Sequence, residues 1–172
     1  GNSGGSQGPH LHFEVRDTKT EKVLNPLLMG FPIMDNVAPQ ILRLAVYDRC
    51  KSTYEQTLKI YPLKKVNGVY IPASGNLIVN KEKVSSAITT YDTYNSSTNQ
   101  NGIYEAQLYD NDKAIAGFQI DSISYLETRY LNAHIDYKFK ANGGSYLQHL
   151  SRLPGNYDAV YKTDESNGVI SL

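Results

Sequence analysis

The clearest alternation of polar and apolar positions runs through residues 10–16. His10, His12, Glu14 and Arg16 fall on one face, and Leu11, Phe13 and Val15 fall on the other. A period of two predicts a strand with one face for water or chemistry and one for packing. Residues 17–22 are polar turn sequence, Val23-Leu24 reads as a short return strand, and Asn25-Pro26 stops it, so a hairpin is predicted. Before it, residues 1–8 hold four glycines, two serines and no apolar side chain, which predicts a loop with unusual backbone angles. Pro9 ends that loop and biases Gly8 toward an extended conformation.

Residues 27–39 read as a linker, interrupted by Gly30, Pro32 and Pro39, with turn chemistry at Asp35-Asn36. A domain boundary is expected near Asp35, leaving 1–34 as one unit with its linker and 35–172 as a second. Beyond it, β-type runs at 41–47, 56–63, 69–71, 76–79, 83–91, 103–109 and 114–120 are separated by turn signals such as Asn67-Gly68 and Asp110-Asn111-Asp112. In the sixth run Ile103, Glu105, Gln107 and Tyr109 oppose Tyr104, Ala106 and Leu108. The series predicts a mainly β fold, an antiparallel β-sandwich. Tyr125, Arg129 and Ala133 fit a helical spacing, so a short helical insertion is expected over 126–135. Residues 146–150 read as another short element, and Pro154-Gly155-Asn156 as a turn before a strand over 157–161. Residues 169–172 read as the start of a strand with no evident closing partner, so the second unit is expected to be cut short there.

Composition narrows the function classes. Seventeen basic and seventeen acidic residues give zero net charge, and no run of Lys or Arg occurs. Nucleic acid is therefore a poor partner, because phosphate binding needs a basic surface that releases counterions. Lys64-Lys65 and Lys81-Glu82-Lys83 read as solvated strand ends or turns. No apolar stretch approaches the roughly 20 residues of a membrane helix, and the start shows no basic and then apolar leader. The single cysteine, Cys50, can make neither an internal disulfide nor a cysteine zinc site, and is expected as a small apolar residue in a strand.

The chemistry-bearing candidates are His10 and His12. Histidines at i and i+2 of a strand project from one face roughly 7 Å apart. That spacing allows one imidazole to bind Zn²⁺ while its neighbour acts on a water or oxyanion, or allows both to be ligands. It also suits two half-exposed imidazoles with no chemistry. The surroundings are more specific. Gly1-Asn2-Ser3-Gly4, Ser6, the run Gly8-Pro9-His10-Leu11-His12-Phe13-Glu14-Val15-Arg16 and the later Asn25-Pro26 resemble the end of the catalytic domain of lysostaphin-type (LytM-type) zinc metallopeptidases. The resemblance covers about the first 30 residues.

It implies a partial catalytic hairpin from a secreted or periplasmic endopeptidase acting on peptidoglycan peptides, with zinc as cofactor. Carried over by motif, His12 is a zinc ligand, and His10 is the catalytic histidine that orients or polarises the water and the substrate carbonyl. Glu14 is structural in that pattern and not a ligand. The family's other ligands form an upstream His-x-x-x-Asp motif, which this chain does not contain. Alone, it is expected neither to hold zinc firmly nor to hydrolyse peptides. His134 and His149 lack an acidic partner at the matching spacing and read as ordinary surface or core histidines. The hairpin's apolar face (Leu11, Phe13, Val15) is expected to pack on the second unit, pair with another copy or stay mobile, with contacts between copies or disorder anticipated.

Residues 37–172 present no catalytic constellation. Tyr91-Asp92-Thr93-Tyr94 and Gly102-Ile103-Tyr104-Glu105 resemble an Asp-containing loop and strand of immunoglobulin-like domains appended to envelope proteins, and residues 123–137 resemble a segment of such tails. Glu127 and Arg129 are expected to form a structural salt bridge. The fourteen tyrosines read first as edge-of-core residues, and second as a surface on which sugars or peptides stack. Two non-enzymatic alternatives stand beside the peptidase reading. One is a catalytically degenerate envelope regulator or binding module with a β-sandwich positioning domain; the other is a sugar-binding sandwich.

Overall fold

The predicted hairpin is present and shorter than its alternation. In the computed structural model, which describes Gly8 and residues 12–172, β1 (Val15–Arg16) and β2 (Val23–Leu24) pair antiparallel, Val15 opposite Leu24 and Arg16 opposite Val23. Asp17 organises the turn, its Oδ1 accepting from the backbone N–H groups of Lys19 and Thr20 and from the Thr20 hydroxyl. Residues 12–14 lie outside the ladder, so alternation there has no partner strand to act on. Phe13 is exposed, its ring meeting Phe31 edge-on at 5.4 Å. Asn25 then caps a 3₁₀ turn, Pro26–Met29, by accepting from Leu27 N, and Gly30 closes it at φ 77°.

The remaining strands are β3 (Gln40–Asp48), β4 (Lys59–Val66), β5 (Val69–Pro72), β6 (Lys83–Tyr91), β7 (Glu105–Asp110), β8 (Lys113–Gln119), β9 (Ser122–Ile123), β10 (Gln148–His149), β11 (Tyr161–Thr163) and β12 (Ile170–Ser171). One sheet runs β10-β6-β3-β4-β5, with β12 also on β6; another runs β11-β8-β7. All pairings are antiparallel, and the fold is mainly β. The β4–β5 connection is the predicted Asn67-Gly68, at φ 50° and 85°. Two consecutive positive φ values match the right-handed twist of the flanking strands.

Both faces of the larger sheet are buried around β6 and β3, which is why β6 is apolar or small almost throughout. On one face Ile88 and Leu44 meet Phe118, Tyr161, Ala106 and Leu108 of the smaller sheet. On the other, Ala45, Tyr47 and Ala87 meet Leu147 and Phe139, the latter from α2 (Tyr137–Ala141). The first contact is sheet on sheet, an arrangement compatible with a sandwich. The helical insertion is a 3₁₀ turn, Tyr125–Tyr130, running into α1 (Leu131–His134). It starts at a capping box, Ser124 accepting from the backbone while Glu127 reaches back to Ser124 N.

Several expectations need correction. The run over 76–79 forms no strand, and the strand expected over 157–161 begins only at Tyr161, because Asn156 and Asp158 side chains draw the backbone into a turn. Cys50 is exposed on the turn after β3, where Asp48 accepts its N–H. Glu127 belongs to the capping box and Arg129 donates to Leu126 O and lies over Tyr130; the two form no ion pair among the described residues. Residues 169–172 do find a partner, Ile170 standing opposite Val84. Of the hairpin's apolar face, Leu11 lies outside the described residues and Phe13 is exposed against Phe31; it is through the return strand that the hairpin meets the residues beyond 35. There β2 pairs with β9, Val23 opposite Ile123, and Asn25 donates from N to Asp121 O and from Nδ2 to Ile120 O.

Candidate functional site

The motif lies where the hairpin meets the second region. His10 is outside the described residues. The His12 side chain is 71% exposed, with Nε2 3.4 Å from Glu14 Oε2, at the weak end of hydrogen bonding. Glu14 is held more firmly elsewhere: Arg16 Nε donates to its Oε1 at 2.5 Å, and the Tyr125 hydroxyl donates to its Oε2 at 3.3 Å. Arg16 Nη2 donates to the same hydroxyl at 3.1 Å, and its guanidinium carbon stands 4.9 Å from the centre of the Tyr125 ring. The predicted polar face is thus partly assembled, with His12, Glu14 and Arg16 in one chain of contacts. Arg16 holds the Glu14 carboxyl below the usual carboxylate range, with smaller contributions from His12 and Tyr125 against opposing desolvation.

Tyr125 comes from the far end of the sequence. It reaches Glu14 because β9 extends the hairpin into the three-stranded order β1-β2-β9, and the 3₁₀ turn starts right after β9. Between hairpin and body lies a cavity of about 390 Å³, floored by Val23, Leu24, Ile120 and Ile123, with Glu14 and Tyr125 at its wall. The site is therefore an exposed imidazole next to an anchored carboxylate, beside an apolar hollow.

Zinc is the cofactor that the motif implies. Among the described residues no group of three His, Cys, Asp or Glu side chains converges on one point. His12 offers one nitrogen, and its carboxylate neighbour is engaged by Arg16 and Tyr125. The described residues alone do not fit a zinc site, whose closed or catalytic forms need three or four protein ligands. No step is derived through the metal.

The other histidines are core residues. His134 is packed edge-on against Phe118 at 4.8 Å, its Nδ1 2.9 Å from the Tyr161 hydroxyl. His149 lies 4.8 Å from the Tyr47 ring and, among the described groups, its Nδ1 has no hydrogen-bond partner. Burial pushes both imidazoles down to about 4, so they are neutral at pH 7. Asp136, near His134 in sequence, accepts from Tyr47 Oη at 2.8 Å and caps α2 through Phe139 N. Burial and the Asp136 charge raise the Tyr47 phenol well above its ordinary range.

Sequence reasoning missed Tyr125 and the Tyr47–Asp136–His149 cluster. Asp136 carried a usable signal, an Asp three residues before an aromatic at a helix start. Tyr125 carried none, because its contact with Glu14 spans 111 positions. No family model matches this chain, and neither a curated protein nor a solved structure matches it.

Proposed function

We infer that the chain is part of a cell-envelope zinc metalloendopeptidase, periplasmic or secreted, that hydrolyses peptide bonds in peptidoglycan. The observation that carries this reading is the sequence Gly8-Pro9-His10-Leu11-His12-Phe13-Glu14-Val15-Arg16 with Asn25-Pro26 behind it. In it His12 supplies one zinc ligand and His10 the catalytic imidazole, and the remaining ligands come from residues outside this sequence. Two contacts support the arrangement. Asn25 ties the end of the hairpin to the body, and Glu14, clamped by Arg16 and Tyr125, stands beside the His12 ring. At 3.4 Å that carboxylate stands where a small closing movement would let it orient a ligating imidazole.

The test compares this chain with a form extended on its N-terminal side through the next His-x-x-x-Asp motif in the gene. Zinc content is measured for each, together with release of fragments from cross-linked muropeptides. The reading expects stoichiometric zinc and cleavage in the extended form, both lost in His12→Ala. An extended form without such a motif, or one that holds zinc and cleaves no muropeptide, overturns it in favour of an envelope regulator.

A further inference from the structure

The outer face of the β11-β8-β7 sheet is built unlike the rest of the surface. Along β7, Glu105, Gln107 and Tyr109 all point to solvent, while Ala106 and Leu108 turn to the core. Their side chains are tied into a row, Gln107 Nε2 donating to Glu105 Oε1 at 2.5 Å and Tyr109 Oη to Gln107 Oε1 at 2.6 Å. Register places Gln107 opposite Gly117 on β8, and Gly117 opposite Lys162 on β11. A line across three strands therefore reads Gln, Gly, Lys, with two long side chains standing over a bare floor. The floor cannot carry a side chain, since a Cβ on Gly117 would sit 2.5 Å from the Ala106 carbonyl oxygen. Lys162 Nζ donates to Gln119 Oε1 at 2.7 Å, and Gln119 Nε2 donates in turn to Tyr104 Oη and Asp121 Oδ1. The trough so formed measures about 370 Å³, within the range of small-ligand sites.

We propose that this trough is a binding site for an uncharged saccharide chain. The proposal goes beyond the peptidase reading and does not rest on it. The lining excludes the other classes. Glu105 offsets Lys162, and Asp164 is paired with Lys113 at 2.6 Å, so a polyanion finds no net positive field. The large apolar residues of the lining, Ile115 and Phe118, are buried, so a lipid or apolar helix finds nothing to cover. A peptide would add to the open edge of β7, not to its face. What the face does offer is amides that both donate and accept, a carboxylate and an ammonium, which suit neighbouring hydroxyl groups. A glycine floor admits a sugar ring to the backbone, and the half-exposed Tyr109, outside the lining at the end of the β7 row, gives a longer chain an aromatic surface to continue onto. The side-chain row is already ordered by its own hydrogen bonds, which lowers the entropy lost on binding.

The test is a titration of the ¹⁵N-labelled full chain with oligomers of N-acetylglucosamine and, separately, of glucose, followed by NMR. Shifts are expected at the side-chain amides of Gln107 and Gln119 and the backbone of Gly117, saturating in the millimolar range. Gln107→Ala, an exposed position that leaves the core intact, should weaken binding by about twofold to tenfold by removing one hydrogen-bonding group. Lys59→Ala, on β4, should leave it unchanged. Preference for the acetylated oligomer identifies a peptidoglycan-type strand, and preference for the glucan another polysaccharide; both support the site. Absence of shifts with either oligomer, shifts confined elsewhere, or undiminished binding in Gln107→Ala overturns it.

Discussion

Acidification from about pH 7 to about pH 5 should weaken this fold through two side chains. His134 and His149 are 7% and 1% exposed, and burial holds both at about 4 against an ordinary value of 6.5. The folded state keeps them neutral, whereas the unfolded chain takes up protons below about 6.5. Their contribution is complete above the unfolded value and is lost as pH falls toward about 4. Linkage at about pH 5 gives a loss of about 2 kcal/mol for each ring and about 4 for the pair. Against the roughly 5–15 kcal/mol of an ordinary domain, that is a large share. Glu14, Asp17, Asp48 and Asp164 are held below the usual carboxylate range, so their contributions fade only at lower pH. Urea unfolding followed by circular dichroism at several pH values across this interval measures the slope. His149→Gln and His134→Gln should each remove about half of it, since each eliminates one ring of the two. A stability that stays flat across the interval in the parent chain, or a slope unchanged in both variants, would refute the reasoning.

Two further outcomes follow from the backbone. Gly155 and Gly168 both have φ near 80°, but a Cβ at Gly155 meets open space while one at Gly168 falls 2.8 Å from Ala116 Cβ and 2.9 Å from Ser151 Cα. Gly155→Ala should therefore cost about 1 kcal/mol of strain, and Gly168→Ala about 1–3 kcal/mol more for the clash, read as a difference in urea midpoints. Asn25→Ala removes a cap and the bond to Ile120 O, so amide exchange at Val23 and Leu24 should quicken by about fivefold to tenfold, about 1 kcal/mol. Unchanged exchange there would show that the Asn25 side chain does not help hold the hairpin.

How far the sequence could be read depends on how local each signal is. The runs that become β3 and β6 and the Asn67-Gly68 turn were legible because alternation and positive φ are encoded within a few residues, whereas the Ser124–Glu127 capping box is passed over when Glu127 is assigned to an ion pair. Boundaries slipped where side chains compete with the ladder. Asn156 and Asp158 turn the backbone that the apolar pattern assigned to a strand. The bulge in β3 puts Leu42, an apolar residue inside a core strand, out on the surface.

The candidate site divides in the same way. The sequence by itself determined the motif with His10 and His12, the common face of His12, Glu14 and Arg16, and the mainly β character of the residues after Asp35. All of these rest on neighbours within a few positions, where chain geometry leaves little choice. Only the tertiary structure decided that β9 continues the hairpin, that Tyr125 clamps Glu14, and that Gln107, Gly117 and Lys162 fall in one line. Those pairings join residues separated by ten to more than a hundred positions. Strand register and loop closure select them through burial and hydrogen bonding summed over the whole chain, and no local pattern records that sum.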